Sequence, residues 1–553
     1  MKQWLLAGVA SLSIVACSSE STDQTSNQSA GETDITYTEA AVETPSYVPT
    51  GMLAKTLPEI AAALQAGEVT SEELVQAYLD RIEKVDRSGP TLHSVISVNP
   101  DALADAQALD AKRAAGETLG PLHGVPILLK DNIESKDNMA TTAGALALKD
   151  NITGRDSPLV AGLRAAGAII LGKTNLSQWA NFRSNDSMSG WTAMGGQVRN
   201  PHQLDRNPCG SSSGSGAAMA ASLAAGTVGT ETNGSVICPS NANGIVGFKP
   251  TVGLVSQQYI VPISSSQDTA GPMTKTVKGS AMMLNAMATG EAKTDYVSGL
   301  DADKFKGARV GVLRYSVGGN KDIQERFEAA LEVLKAQGAE LVEITEGPSF
   351  PDGFGRHARN VLMYEFKTTV NEYLADSAEA VKTRTLKDVM AFNIENADIE
   401  LALFDQSLFD ASQPLGDLNT PEYIEARDTV QKAMREDGID MLLSKHNVDI
   451  LVAPSGPVAS RVDPINGDVW PSFPGAGSMA AIAGYPNITV PMGTIHGMSV
   501  GISFMAAKDE DAKVLSYGYA YEQATNLRAE PQYLKTAEDQ ADIAKAMKGY
   551  VNQ

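Results

Sequence analysis

Two stretches of this chain hold serines in a setting that could do chemistry. Gly210, Ser211, Ser212, Ser213, Gly214, Ser215 and Gly216 form one cluster, and Thr230, Glu231, Thr232, Asn233, Gly234 and Ser235 form the other. Glycine reaches positive φ and lets a neighbour approach closely, so serines framed by glycines suit tight turns that present hydroxyls and backbone N–H groups. A flexible Gly/Ser linker has a similar composition. That reading is set aside because apolar runs at 217–225 and 245–248 flank the clusters and bury them. The run 217–225 reads as a buried helix, and serine turns at the two ends of one short helix can face a common point. The chemistry on offer is attack by an activated hydroxyl.

A second pattern overlaps the first. Residues 210–214 also match G-x-S-x-G, the nucleophile elbow of α/β-hydrolases, with Ser212 as nucleophile and an Asp and a His expected downstream; His357, His446 and His496 are available. An elbow needs a strand directly before it, and Asp205-Arg206-Asn207-Pro208-Cys209 is turn-like, so this esterase- or lipase-like alternative ranks behind. No Gly-Lys-Ser/Thr closes the glycine run, which excludes a P-loop, and no His/Cys/carboxylate group has metal spacing. The sequence therefore implies neither metal nor cofactor.

Upstream, Gly124-Val125-Pro126-Ile127-Leu128-Leu129-Lys130-Asp131-Asn132 delivers a lysine at the end of an apolar run. A lysine with its ordinary pKa near about 10.4 is a cation at neutral pH and accepts no proton unless burial lowers that value by several units. A strand carrying Lys130 inward meets that need; a packed stem with its head paired to Asp131 is the plainer alternative.

Taken together and in this order, the three blocks resemble those of the amidase signature hydrolases. The likeness continues through 172–183 (GKTNLSQWANFR), 266–273 (SQDTAGPM) and 483–493 (AGYPNITVPMG), and it covers about residues 56–525. Within the family the wording is nearest to members that hydrolyse the C-terminal carboxamide of peptides. The resemblance implies Ser235 as the nucleophile that forms an acyl-enzyme, Ser211 as proton relay and Lys130 as base. It further implies N–H donors from Thr232, Asn233, Gly234 and Ser235 for the oxyanion, and a cis peptide at Gly210–Ser211 or Ser211–Ser212. The implied fold is one large α/β domain with a mixed central sheet covered by helices on both faces. The implied substrates are small or peptide amides; the glutaminase component of a tRNA-dependent amidotransferase is an alternative within the same family. Two positions depart from the family pattern. Asn233 replaces a glycine, and Ile237 replaces an arginine that would pair with the acidic position, here Glu231. Asp268 and Gln267 lie in a family-like block as support or as substrate contacts, and His123 and His202 read as satisfied core histidines.

The 553 residues could hold two to four ordinary domains or one oversized one. With 66 Asp+Glu against 44 Lys+Arg the net charge is -22, which disfavours nucleic acid as a partner. Nothing in the sequence sets an oligomeric state. Lys2, the apolar run at 4–15 and Cys17 have the form of a lipoprotein signal at 1–17, in which Cys17 becomes the lipidated N-terminus. Acyl chains would then be the sole attachment to a membrane, placing the protein in the cell envelope, at the outer membrane or in the periplasm. Residues 18–50, poor in large apolar residues, read as a disordered tether. Cys209 and Cys238, beside the two serine turns, are expected as buried reduced thiols.

Alternation of strand-like and helical runs argues independently for an α/β sheet. Strand-like runs occur at 94–98, 125–129, 168–171, 309–313, 449–452 and 488–490, and helical ones at 101–115, 158–166, 323–337 and 512–522. Capping boxes at Thr56/Glu59 and Thr70/Glu73 open the folded part. The expected organisation is an amidase domain at 51–535, carrying a helical elaboration at 301–440, followed by a helical tail at 536–553.

Overall fold

The computed structural model describes residues 47–470 and 472–548. The signal segment with Cys17 and most of the tether lie outside the described residues. Tyr47 is already packed, its ring 5.6 Å from that of Tyr533 and its carbonyl accepting from Arg81 Nη2 at 2.7 Å. The folded part therefore starts ahead of the expected boundary at 51.

Both capping boxes form. Thr56 and Glu59 open the helix Leu57–Ala66, which Gly67 ends at φ 71°, and Thr70 and Glu73 open Ser71–Arg81. The strands in chain order are β1 (Val95–Val98), β2 (Pro126–Lys130), β3 (Ile169–Thr174), a short hairpin of β4 (Trp191–Thr192) with β5 (Gly196–Gln197), then β6 (Gly226–Glu231), β7 (Val246–Lys249), β8 (Thr269–Thr274), β9 (Arg309–Leu313), β10 (Glu340–Ile344), β11 (Ile450–Pro454), β12 (Asn487–Ile495) and β13 (Met498–Met505). Among the described residues all but the hairpin join one sheet in the order β1-β3-β2-β6-β8-β7-β12-β13-β11-β9-β10. The sheet is mixed: β2 runs parallel to β3 and β6, whereas β8 runs antiparallel to β6. Every residue of β2, β3, β6 and β8 is buried, as strands of a sheet covered on both faces must be. The helices Ser213–Ala220 and Ile237–Asn243 pack on each other and on the sheet, while Val277–Met287, Lys321–Ala336 and Asp511–Thr525 form another packed group on it.

The first part of the region 301–440 belongs to the sheet and not to a helical elaboration: the strand expected at 309–313 and the helix expected at 323–337 both form, and an unexpected strand follows at 340–344. Arg309–Leu313 and Glu340–Ile344 extend the sheet edge as parallel strands, joined by the crossover helix Lys321–Ala336 that parallel pairing requires. The helical layer proper runs from Phe354–Ala375 to Pro421–Met434. It is fastened by Arg183 and Glu400, an ion pair at 3.3 Å with both side chains fully buried. Arg183 Nη2 also donates to the Phe404 carbonyl at 3.1 Å, and the guanidinium lies 4.0 Å from the centre of the Phe404 ring. Within the expected tail the structure describes the helix Ala541–Lys548. Among the described residues no helix is long and apolar enough to cross a membrane.

Candidate active site

The apolar residues of β2 drive that strand into the middle of the sheet, and Lys130 sits at its end. Pairing of Leu128 with Thr227 and Leu129 with Val228 sets Thr230 of β6 beside the lysine. Lys130 Nζ lies 2.8 Å from Ser211 Oγ, 2.8 Å from Thr230 Oγ1 and 3.3 Å from the Thr230 carbonyl. The side chain is 0% exposed, and burial brings its pKa down to about 7 against the weaker opposing pull of Asp268 and Glu231. Asp131 is not its partner: that carboxylate is taken by the hydroxyl and the N–H of Thr142. The surface-pair alternative for Lys130 therefore fails.

Ser211 follows a cis peptide at Gly210–Ser211, one of the two expected bonds. Its carbonyl accepts from Ser177 N at 2.9 Å. The adjoining helix is Ser213–Ala220, beginning and ending earlier than the expected 217–225. Position 214, inside this helix, has to be glycine because a Cβ there would lie 2.3 Å from the Asn175 carbonyl oxygen. Ser212 is no elbow nucleophile. Its buried hydroxyl donates to the Thr230 carbonyl at 3.0 Å and accepts from Thr230 N at 3.1 Å, and no strand precedes it.

Ser235 stands in the turn between β6 and the helix Ile237–Asn243, 8% exposed. Its carbonyl accepts from Ser212 N at 3.2 Å, which ties the two serine turns together. Gly234 has φ 85°, a conformation glycine adopts without strain. Among the described residues, no carbonyl or side chain takes up the N–H groups of Asn233, Gly234 and Ser235. Asn233 itself is exposed, and its Oδ1 accepts from Ser478 Oγ at 3.0 Å.

Cys209 and Cys238 are not reduced thiols. They are joined as a disulfide with Cα atoms 5.8 Å apart. The return of the chain along β6 lays the helix Ile237–Asn243 against Ser213–Ala220, and this brings both cysteines within bonding reach. The missing arginine at Ile237 is likewise resolved by the backbone. Glu231 accepts the N–H groups of Val236 and Ile237 at 2.8 and 3.0 Å, so amides at the helix start replace the guanidinium.

Asp268 supports the turn at 232–235 from behind. It accepts from Thr232 Oγ1 at 2.5 Å and from the N–H groups of Ile263 and Ser264, and burial raises its pKa to about 6. Gln267 is buried as well. The loop carrying them is held by Glu365 of the helical layer, which accepts from Ser266 N at 3.0 Å and from the Tyr423 hydroxyl at 2.7 Å. His123 and His202 are core residues: the ring of His123 meets the Leu109 carbonyl at 2.9 Å, and that of His202 meets the Asn243 carbonyl at 3.0 Å.

A cleft of about 310 Å³ opens beside the serines, lined among others by Gly210, Asn233, Gly234, Asp468, Trp470 and Phe473. Sequence reasoning missed Thr230 as a partner of the lysine. It equally missed Asn132, whose Nδ2 donates to Thr230 Oγ1 at 3.0 Å, although both lie within the blocks it singled out. It missed Asp468, Trp470 and Phe473 for lack of any local signal.

An amidase family model matches residues 73–515. A probable amidase of Arabidopsis thaliana is 35% identical over 500 residues, covering 87% of this chain and 91% of the relative. A glutamyl-tRNA(Gln) amidotransferase component from Halorhodospira halophila is 34% identical over 505 residues, covering 85% and 97%. Among solved structures, the native peptide amidase from Stenotrophomonas maltophilia superposes with a TM-score of 0.82 at 44% identity, covering 87% of this chain and 98% of that one. With the fold, the ordered sequence blocks and these relatives in agreement, the chain belongs to the amidase signature family and is an amidohydrolase acting on C–N bonds.

Proposed function

We propose that the protein hydrolyses linear carboxamides, peptide C-terminal amides first among them, to a carboxylate and ammonia through Lys130, Ser211 and Ser235. The observation that carries this reading is the 2.8 Å contact between Ser211 Oγ and a fully buried lysine whose pKa has fallen to about 7. A neutral amine has two N–H bonds and one lone pair. With its N–H bonds directed at the hydroxyl and carbonyl of Thr230, the lone pair is left to face Ser211.

In the forward step Lys130 takes the proton of Ser211, Ser211 takes that of Ser235, and Ser235 Oγ bonds to the amide carbon. The resulting oxyanion is met by the uncommitted N–H groups of Asn233, Gly234 and Ser235, with Thr232 opening the turn. Return of the proton along the same chain to the departing nitrogen releases ammonia and leaves the acyl group on Ser235. Water then repeats the sequence and frees the acid. The peptide preference is supported by the 44% identity to a peptide amidase.

Ammonia release from a panel of peptide amides, aryl amides and glutamine tests this reading. Turnover of peptide amides is the expected result, and release from glutamine alone would replace it with the glutaminase role that the amidotransferase relatives favour. The proposal extends to location: Cys17 carries a lipid that holds the enzyme in the cell envelope. The signal-like residues 1–17 support this, and so does a disulfide, a bond at home in oxidising compartments. Incorporation of labelled palmitate that Cys17→Ser abolishes is the expected outcome; equal labelling of both would overturn it.

A further inference from the structure

The cleft beside the serines contains one ionisable side chain among the described residues that line it, and that group is a carboxylate. Asp468 reaches the cleft from the segment between β11 and the helix Gly477–Ala483. Its Oδ2 accepts from Ser189 N at 3.0 Å and its Oδ1 from Asn207 Nδ2 at 2.7 Å. Each oxygen keeps a further acceptor position. Neither donor is charged, and burial pushes the Asp468 carboxyl above its ordinary pKa against the pull of these hydrogen bonds, so the group is oriented but has no charged partner among the residues lining the cleft.

The remaining walls carry no compensating cation among the described residues. Trp470 and Phe473 stand edge to face at 5.9 Å, and Ile237 and the Cys209–Cys238 bridge also line the cleft. A fixed carboxylate beside aromatic faces is a receptor for a cation, through direct attraction and through the ring quadrupoles. The same walls offer an anion repulsion and no positive partner, which is how a site discriminates against the wrong ligand.

We propose that Asp468, with Trp470 and Phe473, determines specificity in this cleft, selecting carboxamides whose adjoining residue carries a positive charge and rejecting those that carry a carboxylate. The inference rests on the reading of this cleft as the site of peptide-amide hydrolysis. Peptides ending in a basic residue amide are the favoured class, and those ending in an acidic residue amide the excluded one.

The test uses three N-acetyl dipeptide amides, identical except for Lys, norleucine or Glu at the residue bearing the carboxamide. The wild-type kcat/KM is expected to fall in that order, with Lys exceeding Glu by about 100-fold, about tenfold for each charge change. In Asp468→Asn the Lys/Glu ratio is expected to shrink to within about fivefold, and Asp468→Glu to keep it. A ratio is unaffected by any general loss of activity that a variant suffers. A wild-type ratio near one, or an undiminished ratio in Asp468→Asn, overturns the inference while leaving peptide-amide hydrolysis intact. Should the wild type turn over none of the three, the proposed activity fails. Titration of Ser235→Ala and of Ser235→Ala/Asp468→Asn by tryptophan fluorescence then decides the inference: Asp468-dependent preference for the Lys peptide sustains it, and equal binding of the Lys and Glu peptides overturns it.

Discussion

Lys130 Nζ stands 2.8 Å from Ser211 Oγ and 2.8 Å from Thr230 Oγ1, and none of its hydrogen-bond partners is a carboxylate. With no anion in contact to hold the proton, burial wins, and the pKa falls to about 7 from the usual 10.5. Below that value the lysine is an ammonium and accepts nothing. We expect kcat/KM to fall about tenfold per pH unit below 7 and to level off above it. The sign follows from a base that works deprotonated, and a profile that rises toward acid would refute it. Lys130→Arg, which cannot deprotonate, should lose about 100- to 10,000-fold.

The three neighbouring serines are expected to separate by assay. Ser235→Ala should abolish both turnover and covalent labelling by a fluorophosphonate probe. Ser211→Ala should slow both by about 100- to 10,000-fold through loss of the relay. Ser212→Ala should keep its labelling but lose about 1–3 kcal/mol of stability, because Thr230 N and O each lose a buried partner. Abolished labelling in Ser212→Ala with labelling retained in Ser235→Ala would restore the elbow alternative.

The bridge between Cys209 and Cys238 closes a loop with a sequence separation of 29. On the loop-entropy account a bond of this span stabilises the fold by about 3.6 kcal/mol. Thermal unfolding of the wild type in dithiothreitol and of Cys209→Ser/Cys238→Ser should show matching losses, and the double variant should be indifferent to reductant.

Arg183 and Glu400 join the helical layer to the segment that follows β3. Removing either partner strands a buried charge, so Arg183→Leu and Glu400→Gln should each cost about 3–5 kcal/mol in denaturant unfolding. Replacing both together should cost less than the sum of the two single changes, because neither then leaves an unpaired ion.

How much of this was legible in the chain depended on whether a neighbour's demand showed in the residues themselves. β2 and β3 are apolar runs, and Lys130 could be read as the end of one. β6 and β8, which flank the serine turns, are poor in such signal because their glycines answer to distant atoms. A Cβ on Gly229 would lie 2.7 Å from Ser212 Oγ, and one on Gly271 would lie 2.0 Å from the Phe248 carbonyl oxygen. The cysteine pairing was hidden for the same reason, since the approach of the two helices is a tertiary fact. Asp468 and Trp470 reach the cleft from more than 200 positions downstream of Ser235, in a loop whose composition resembles any other. The order of the serine and lysine blocks was readable because each block is local.

The sulfur bridge has one more effect. Ser211 and Ser235 both fall between Cys209 and Cys238, so backbone and bridge together close a ring that contains both of these serines. A protease that cut once between the two serines would open the ring without dividing the molecule, and both hydroxyls would remain on one covalent body.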